Sequence, residues 1–172
     1  VSSADAVQRE ADWLSGAAIT SGTTGQTLPA LVVAQGGLWD VVQAYVPRTS
    51  KTTVNRIYVT RARLQSHRVA MQRVRNSHDF RLKLYWKIGS TTQAVDIAEQ
   101  EQQALDNAVE DLLLRIRAFR DDHTHGGRFL SVAEADGRAE IDVQYGDPEV
   151  DIPAGILTAS VTYSADDPEI VT

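Results

Sequence analysis

The chain has 172 residues, no cysteine, 42% apolar and 23% charged residues, and a formal net charge of −6. A compact domain of that length buries roughly 70% of the surface its unfolded chain exposes, enough for a core without covalent staples. Disulfides, thiolate metal sites and thiol nucleophiles are excluded together, and no stretch approaches the roughly 18 to 20 apolar residues of a membrane span.

The first ten residues lack the basic-then-apolar layout of a signal peptide, so the expectation is a chain made and kept in cytoplasm. Residues 3–14 predict a short helix: Ser2 or Ser3 caps it, Asp5 lies in its first turn, Gly16 follows its end, and Val7, Ala11 and Leu14 share a stripe beside Trp13. Residues 15–27 read as a flexible polar extension. The apolar run 28–34 predicts a strand turned by Gly36-Gly37, while 38–46 fits a strand or a short helix ended by Pro47.

Residues 54–64 are rich in β-branched and aromatic side chains, and 68–75 either return beside that strand or continue it. Asn76-Ser77-His78 predicts a turn. The next segment alternates, with Phe80, Leu82, Leu84, Trp86 and Ile88 on one face and Arg81, Lys83, Tyr85 and Lys87 on the other.

A long helix is expected from a cap at Thr91 or Thr92 to about Arg120, its stripe made by Ala94, Ala98, Leu105, Ala108, Val109, Leu112, Ile116 and Phe119. Glu101 and Gln102 fall on or near that stripe, so its first turns overhang the core. Leu114 points away from Leu105, and Asp111 and Arg115 form an i,i+4 pair. Three strands follow at 129–133, 139–145 and 156–163, the first two joined by an Asp136-Gly137 hairpin. An acidic loop extends over 146–154, and 165–172 reads as a flexible tail. The whole predicts one α/β domain of the α+β type over 1–164: a mixed, mainly antiparallel sheet with a short N-terminal helix and one long helix packed on one face.

Charge is segregated. Residues 41–90 hold eleven Lys or Arg and one acid, a balance of +10, whereas 91–172 hold five Arg and eighteen acids, a balance of −13. The basic strip can meet nucleic acid or lipid headgroups, the two halves can neutralise each other, or the basic surface of one copy can meet the acidic surface of the next; otherwise it is a solvated charged surface.

No motif supplies chemistry. Thr20-Ser21-Gly22-Thr23-Thr24-Gly25 resembles the phosphate-contacting loop of adenylate-forming enzymes, but Gln26-Thr27-Leu28 follows instead of the expected proline and lysine. Neither a P-loop nor a dinucleotide fingerprint occurs. His123 and His125 with Asp121 and Asp122 invite a metal reading, yet a Gly-flanked turn at a helix end offers no evident further ligands, and histidines there suit the helix dipole. A nucleophile elbow is missing. Arginines 56, 61, 63, 68, 73 and 75 resemble a phosphate-binding strip, with Tyr58 or Tyr85 to stack on bases, but the sequence pI near 5.1 and the lack of a module signature argue against sequence-specific binding.

The order of a short helix, a strand block, one long helix and a closing set of strands resembles the tail terminators of long-tailed bacteriophages. The segment 104–113 (Ala-Leu-Asp-Asn-Ala-Val-Glu-Asp-Leu-Leu), Gly126-Gly127 and the closing 156–163 (Ile-Leu-Thr-Ala-Ser-Val-Thr-Tyr) carry most of the likeness. The resemblance implies a virion protein made in a bacterial cytoplasm, assembled as a hexameric ring that caps the tail tube and meets the head connector, with DNA passing non-specifically through the lumen. It implies no enzyme activity, cofactor, metal or membrane partner. Arg61, Arg63, Arg81, Lys83, Glu101 and Leu114 are the expected subunit-interface residues, the basic strands of one copy facing the acidic helix or C-terminal strands of the next. The arginine-rich strands exceed the family pattern in length, which keeps a head-closure or connector subunit as the alternative; a small ligand- or metal-binding domain is the alternative from another class.

Overall fold

The computed structural model of the protein describes residues 3–49, 54–87, 95–133, 140–146, 156–168 and 170–171. A 3-10 turn at Ser3–Asp5 leads into helix α1 (Ala6–Leu14). A small hairpin, β1 (Ile19–Thr20) with β2 (Thr27–Leu28), precedes β3 (Val41–Ala44), β4 (Arg56–Ala70) and β5 (Arg73–Lys87). Helix α2 (Val95–Arg117) follows, then β6 (Ser131–Val132), β7 (Asp142–Tyr145), β8 (Ile156–Asp166) and β9 (Ile170–Val171). The main sheet runs β3-β4-β5-β8, with β6 and β7 on the far side of β8 and β9 on β5. Only β3 against β4 is parallel among the described pairs.

Strand alternation sets the core. Phe80, Leu82, Leu84 and Trp86 of β5 are buried, and directly across from them lie Ile57 and Val59 of β4 and Leu157, Ala159, Val161 and Tyr163 of β8. The stripe of α2 (Leu105, Ala108, Val109, Leu112, Ile116) and that of α1 (Ala6, Val7, Ala11, Leu14) enter the same cluster. Both helices therefore cover one face of the sheet, as expected for the α+β class. At 1.5 Å per residue α2 is about 35 Å long. It stops at Arg117 because Ala118 turns left-handed (φ 58°), its N–H donating to the Leu114 carbonyl at 3.1 Å. The expected caps and Ala94 lie outside the described residues.

Several expectations are corrected. In the run 28–34 only Leu28 is in a strand, because Pro29 has no ladder donor; Ala30 and Leu31 are buried in irregular chain. That chain closes on Gly37, where a Cβ would stand 2.1 Å from the Leu31 carbonyl carbon. The segment 15–27 is organised as the β1–β2 hairpin, its loop held by Ser21 Oγ, which accepts from the amides of Thr23 (3.2 Å) and Thr24 (3.1 Å). Of the two options for 38–46, the strand is the one adopted.

The turn expected at 76–78 does not form. Asn76, Ser77 and His78 sit in the ladder opposite Ser66, Gln65 and Leu64, and the chain reverses at Met71-Gln72. Strand β4 thus continues through Arg68, and β4 and β5 make a long two-stranded arm. The Asp136-Gly137 turn lies outside the described residues; among those described, β6 and β7 do not pair with each other, and Ser131↔Asp166 and Asp142↔Thr162 place both end to end along β8. The segment 165–172 is not a loose tail where it is described. Ala165, Asp166 and Asp167 are buried, and β9 pairs with Arg73 and Val74. Of the loop 146–154 only Gly146 is described; its N–H donates to the Thr158 carbonyl at 2.8 Å.

Candidate subunit interface

The histidines expected near a helix end separate in space. His125 is fully buried against α1: its Nδ1 lies 2.8 Å from Glu10 Oε2, its Nε2 lies 2.8 Å from the Ile116 carbonyl, and Trp13 stacks on its ring at 4.8 Å. Tyr163 donates its hydroxyl to the other Glu10 oxygen. Burial and the Glu10 carboxylate push the Tyr163 hydroxyl well above its usual range, so it remains a donor. His123 faces solvent, with Nδ1 at 3.4 Å from the Arg117 carbonyl. The two imidazoles do not converge, and among the described residues no group of three or more potential metal-ligating side chains does. The left-handed run His125 (φ 54°), Gly126 (69°) and Gly127 (80°) makes the turn that drives the ring inward.

A second buried cluster holds the chain's last strand. Asp167 accepts from Arg9 Nη2 at 2.8 Å and from His78 Nε2 at 2.8 Å. Burial pushes the Asp167 carboxyl up, but the hydrogen bonds and charges of His78 and Arg9 outweigh it, and it titrates below its ordinary value of 3.8. A carboxylate with a depressed folded pKa stabilises above its unfolded pKa and loses that contribution as pH falls through the folded value. Melting temperature should therefore drop below about pH 4, where unfolded aspartate titrates. Asp167→Asn should flatten that acid limb; an unchanged slope in a thermal scan against pH would show that Asp167 does not set it.

The expected interface residues occupy three places. Arg81 and Lys83 are exposed on the face of β5 that the helices leave uncovered. Arg61 and Arg63, two apart, should share a face, but a bulge intervenes: Arg61 is paired with Phe80 and Arg63 with Asp79, so they emerge on opposite sides. With the Gln65 amide turned so that its oxygen faces the guanidinium, Arg63 donates to it at 2.6 Å. Glu101, expected to overhang the core, is half-buried instead, and Leu114, in the last turn of α2, is exposed. Arg115 departs from the expected pairing with Asp111: it is fully buried and donates to the carbonyls of Trp13, Ala17 and Pro29.

Leu114 is 45% exposed and borders a hollow whose other walls include Ala118, Phe119 and Val132, with Arg117, Arg120 and His123 around them. No protein-family model matches the chain, and no curated protein does. What the surface offers is an exposed apolar side chain framed by cations. Among the described residues no helix is long and apolar enough to cross a membrane. Composition alone does not reveal the remaining surface features: the arm tip, where Met71 is 92% exposed, and Tyr145 at the opposite end of the sheet order. The only trace of the first in the sequence is an apolar Val69-Ala70-Met71 between arginines.

Proposed function

We propose that the protein is a structural virion subunit, a tail terminator that assembles as a ring, hexameric as the family resemblance implies, to cap a phage tail tube and join it to the head connector. Its work is binding and geometry without catalysis or cofactor. The observation that carries this reading is Leu114: a large apolar side chain left open on the outward side of α2, beside a hollow and on a chain whose cations and anions are segregated. An apolar site framed by charge favours a second protein surface, and opposite charge on separate segments favours a head-to-tail contact. A head-closure or connector subunit shares these features and differs in its station. Isolated tails should capture the protein if it is a terminator, and filled heads if it belongs to the connector.

Leu114→Lys tests the contact. A cation in the last turns of a helix suits its dipole, so unfolding free energy should stay within about 0.5 kcal/mol of the parent. Light scattering at low salt and binding to tail-tube ends should both show lost assembly. Unchanged assembly would remove Leu114 from the interface. A parent chain that neither assembles nor binds tails or heads would overturn the reading.

A further inference from the structure

We infer that the joint between copies is a strand-to-strand seam, in which the outer edge of the β4 arm of one copy pairs with β7 of the next. This rests on the ring reading and specifies its interface. The sheet ends differently on its two sides. Strand β3 covers the outer edge of β4 only from Arg56 to Val59, so among the described residues no strand lies on that edge from Arg63 to Ala70, where β4 pairs with β5 alone. At the other end β7 is paired with β8 on one side, and among the described residues no strand lies on its other side. Uncovered edges are templates for another chain's strand, and their backbone groups supply the affinity.

Charge and side-chain parity select the partner. Residues 61–75 hold five arginines and no acid, while the described residues 140–146 hold Glu140 and Asp142 and no Lys or Arg. Two basic arms would repel each other, as would two acidic edges, so the favoured contact joins unlike edges. That contact is head-to-tail and propagates until its rotation closes. A sheet continued across the seam keeps its faces aligned. The bulge places Arg63 on the face of Asp79, away from the helices, and Leu64 on the helix-side face of His78. On β7, Asp142 shares the outward face with Thr162, whereas Val143 and Tyr145 share the core face with Val161 and Ala159. Continuation therefore brings Arg63 towards Asp142 and Leu64 towards Val143 and Tyr145. Leu64 and Tyr145 are 44% and 52% exposed in the single copy, and such cross-strand pairs are the unit of sheet stabilisation. Without the bulge Arg63 would face the helix side and the match would fail.

The protein contains no cysteine, so engineered thiols report the seam directly. A Leu64→Cys chain mixed with a Val143→Cys chain under mild oxidation should give a disulfide-linked dimer containing one of each. The double variant should give a ladder of covalent multimers, and Leu64→Cys mixed with Val33→Cys should stay uncrosslinked. Arg63→Glu and Asp142→Arg should each reduce assembly, and combining them should restore it. Assembly by light scattering without the Leu64–Val143 link, and without rescue, would overturn the seam while leaving the ring. A chain that remains monomeric at low salt and also fails to bind tails or heads would overturn both.

Discussion

Glu10→Ala should lower the free energy of unfolding by about 3–5 kcal/mol, the usual cost of removing one partner from a buried charged pair. The carboxylate stands fully buried between His125 and Tyr163, accepting from both. Removing it strands a hydroxyl and a ring nitrogen where water does not reach, and each unsatisfied group costs about 1–3 kcal/mol. His125 cannot turn away to compensate, because its other nitrogen faces the Ile116 carbonyl and Trp13 covers its ring. Urea denaturation would measure the loss. The triple variant Glu10→Met, His125→Leu, Tyr163→Phe should recover much of it, since apolar groups of similar shape replace a whole polar cluster at little net cost. A single variant costing under about 1 kcal/mol would show that the cluster adds nothing to stability.

Arg115→Met should be comparably damaging, at about 3–5 kcal/mol, although the apolar stem is kept. The guanidinium donates to Trp13 O from Nε at 3.1 Å and from Nη2 at 2.8 Å, and to Ala17 O at 2.8 Å and Pro29 O at 3.3 Å. It also lies 4.7 Å over the Trp13 ring. Hydrogen bonds from a charged donor are worth about 1.5–3 kcal/mol each, and three carbonyls lose theirs together. Burial and neighbouring Arg128, opposed by Glu10, pull Arg115 down to about 10, so it is still a cation at neutral pH. For a chain of this size each kcal/mol shifts the melting temperature by about 2–4 °C; a drop of less than about 3 °C in calorimetry would contradict the assignment.

Much of the fold was legible because burial follows periodicity. The β5 alternation from Phe80 to Trp86 and the α2 stripe from Leu105 to Ile116 depend on one face meeting one core, and that regularity survives in sequence. Long-range partners leave no such trace. The segment 165–172 reads as polar, yet Asp167 is buried because Arg9 and His78 await it. Asn76-Ser77-His78 has turn composition, but eleven residues of β8 pair alongside β5 and hold it extended. The pairing of both β6 and β7 with β8, end to end, likewise has no local signature. Of the interface residues, exposure of Arg81, Lys83 and Leu114 followed from parity and helical angle, whereas a single bulge parted Arg61 from Arg63.

The Arg9–Asp167 contact joins residues 158 positions apart. During synthesis α1 precedes the carboxylate that anchors it by that whole span. A nascent chain that stops before Asp167 lacks this anchor and β9 as well. Docking of α1 is thereby tied to a contact of high sequence separation, and a product truncated before Asp167 becomes a substrate for chaperones or proteases.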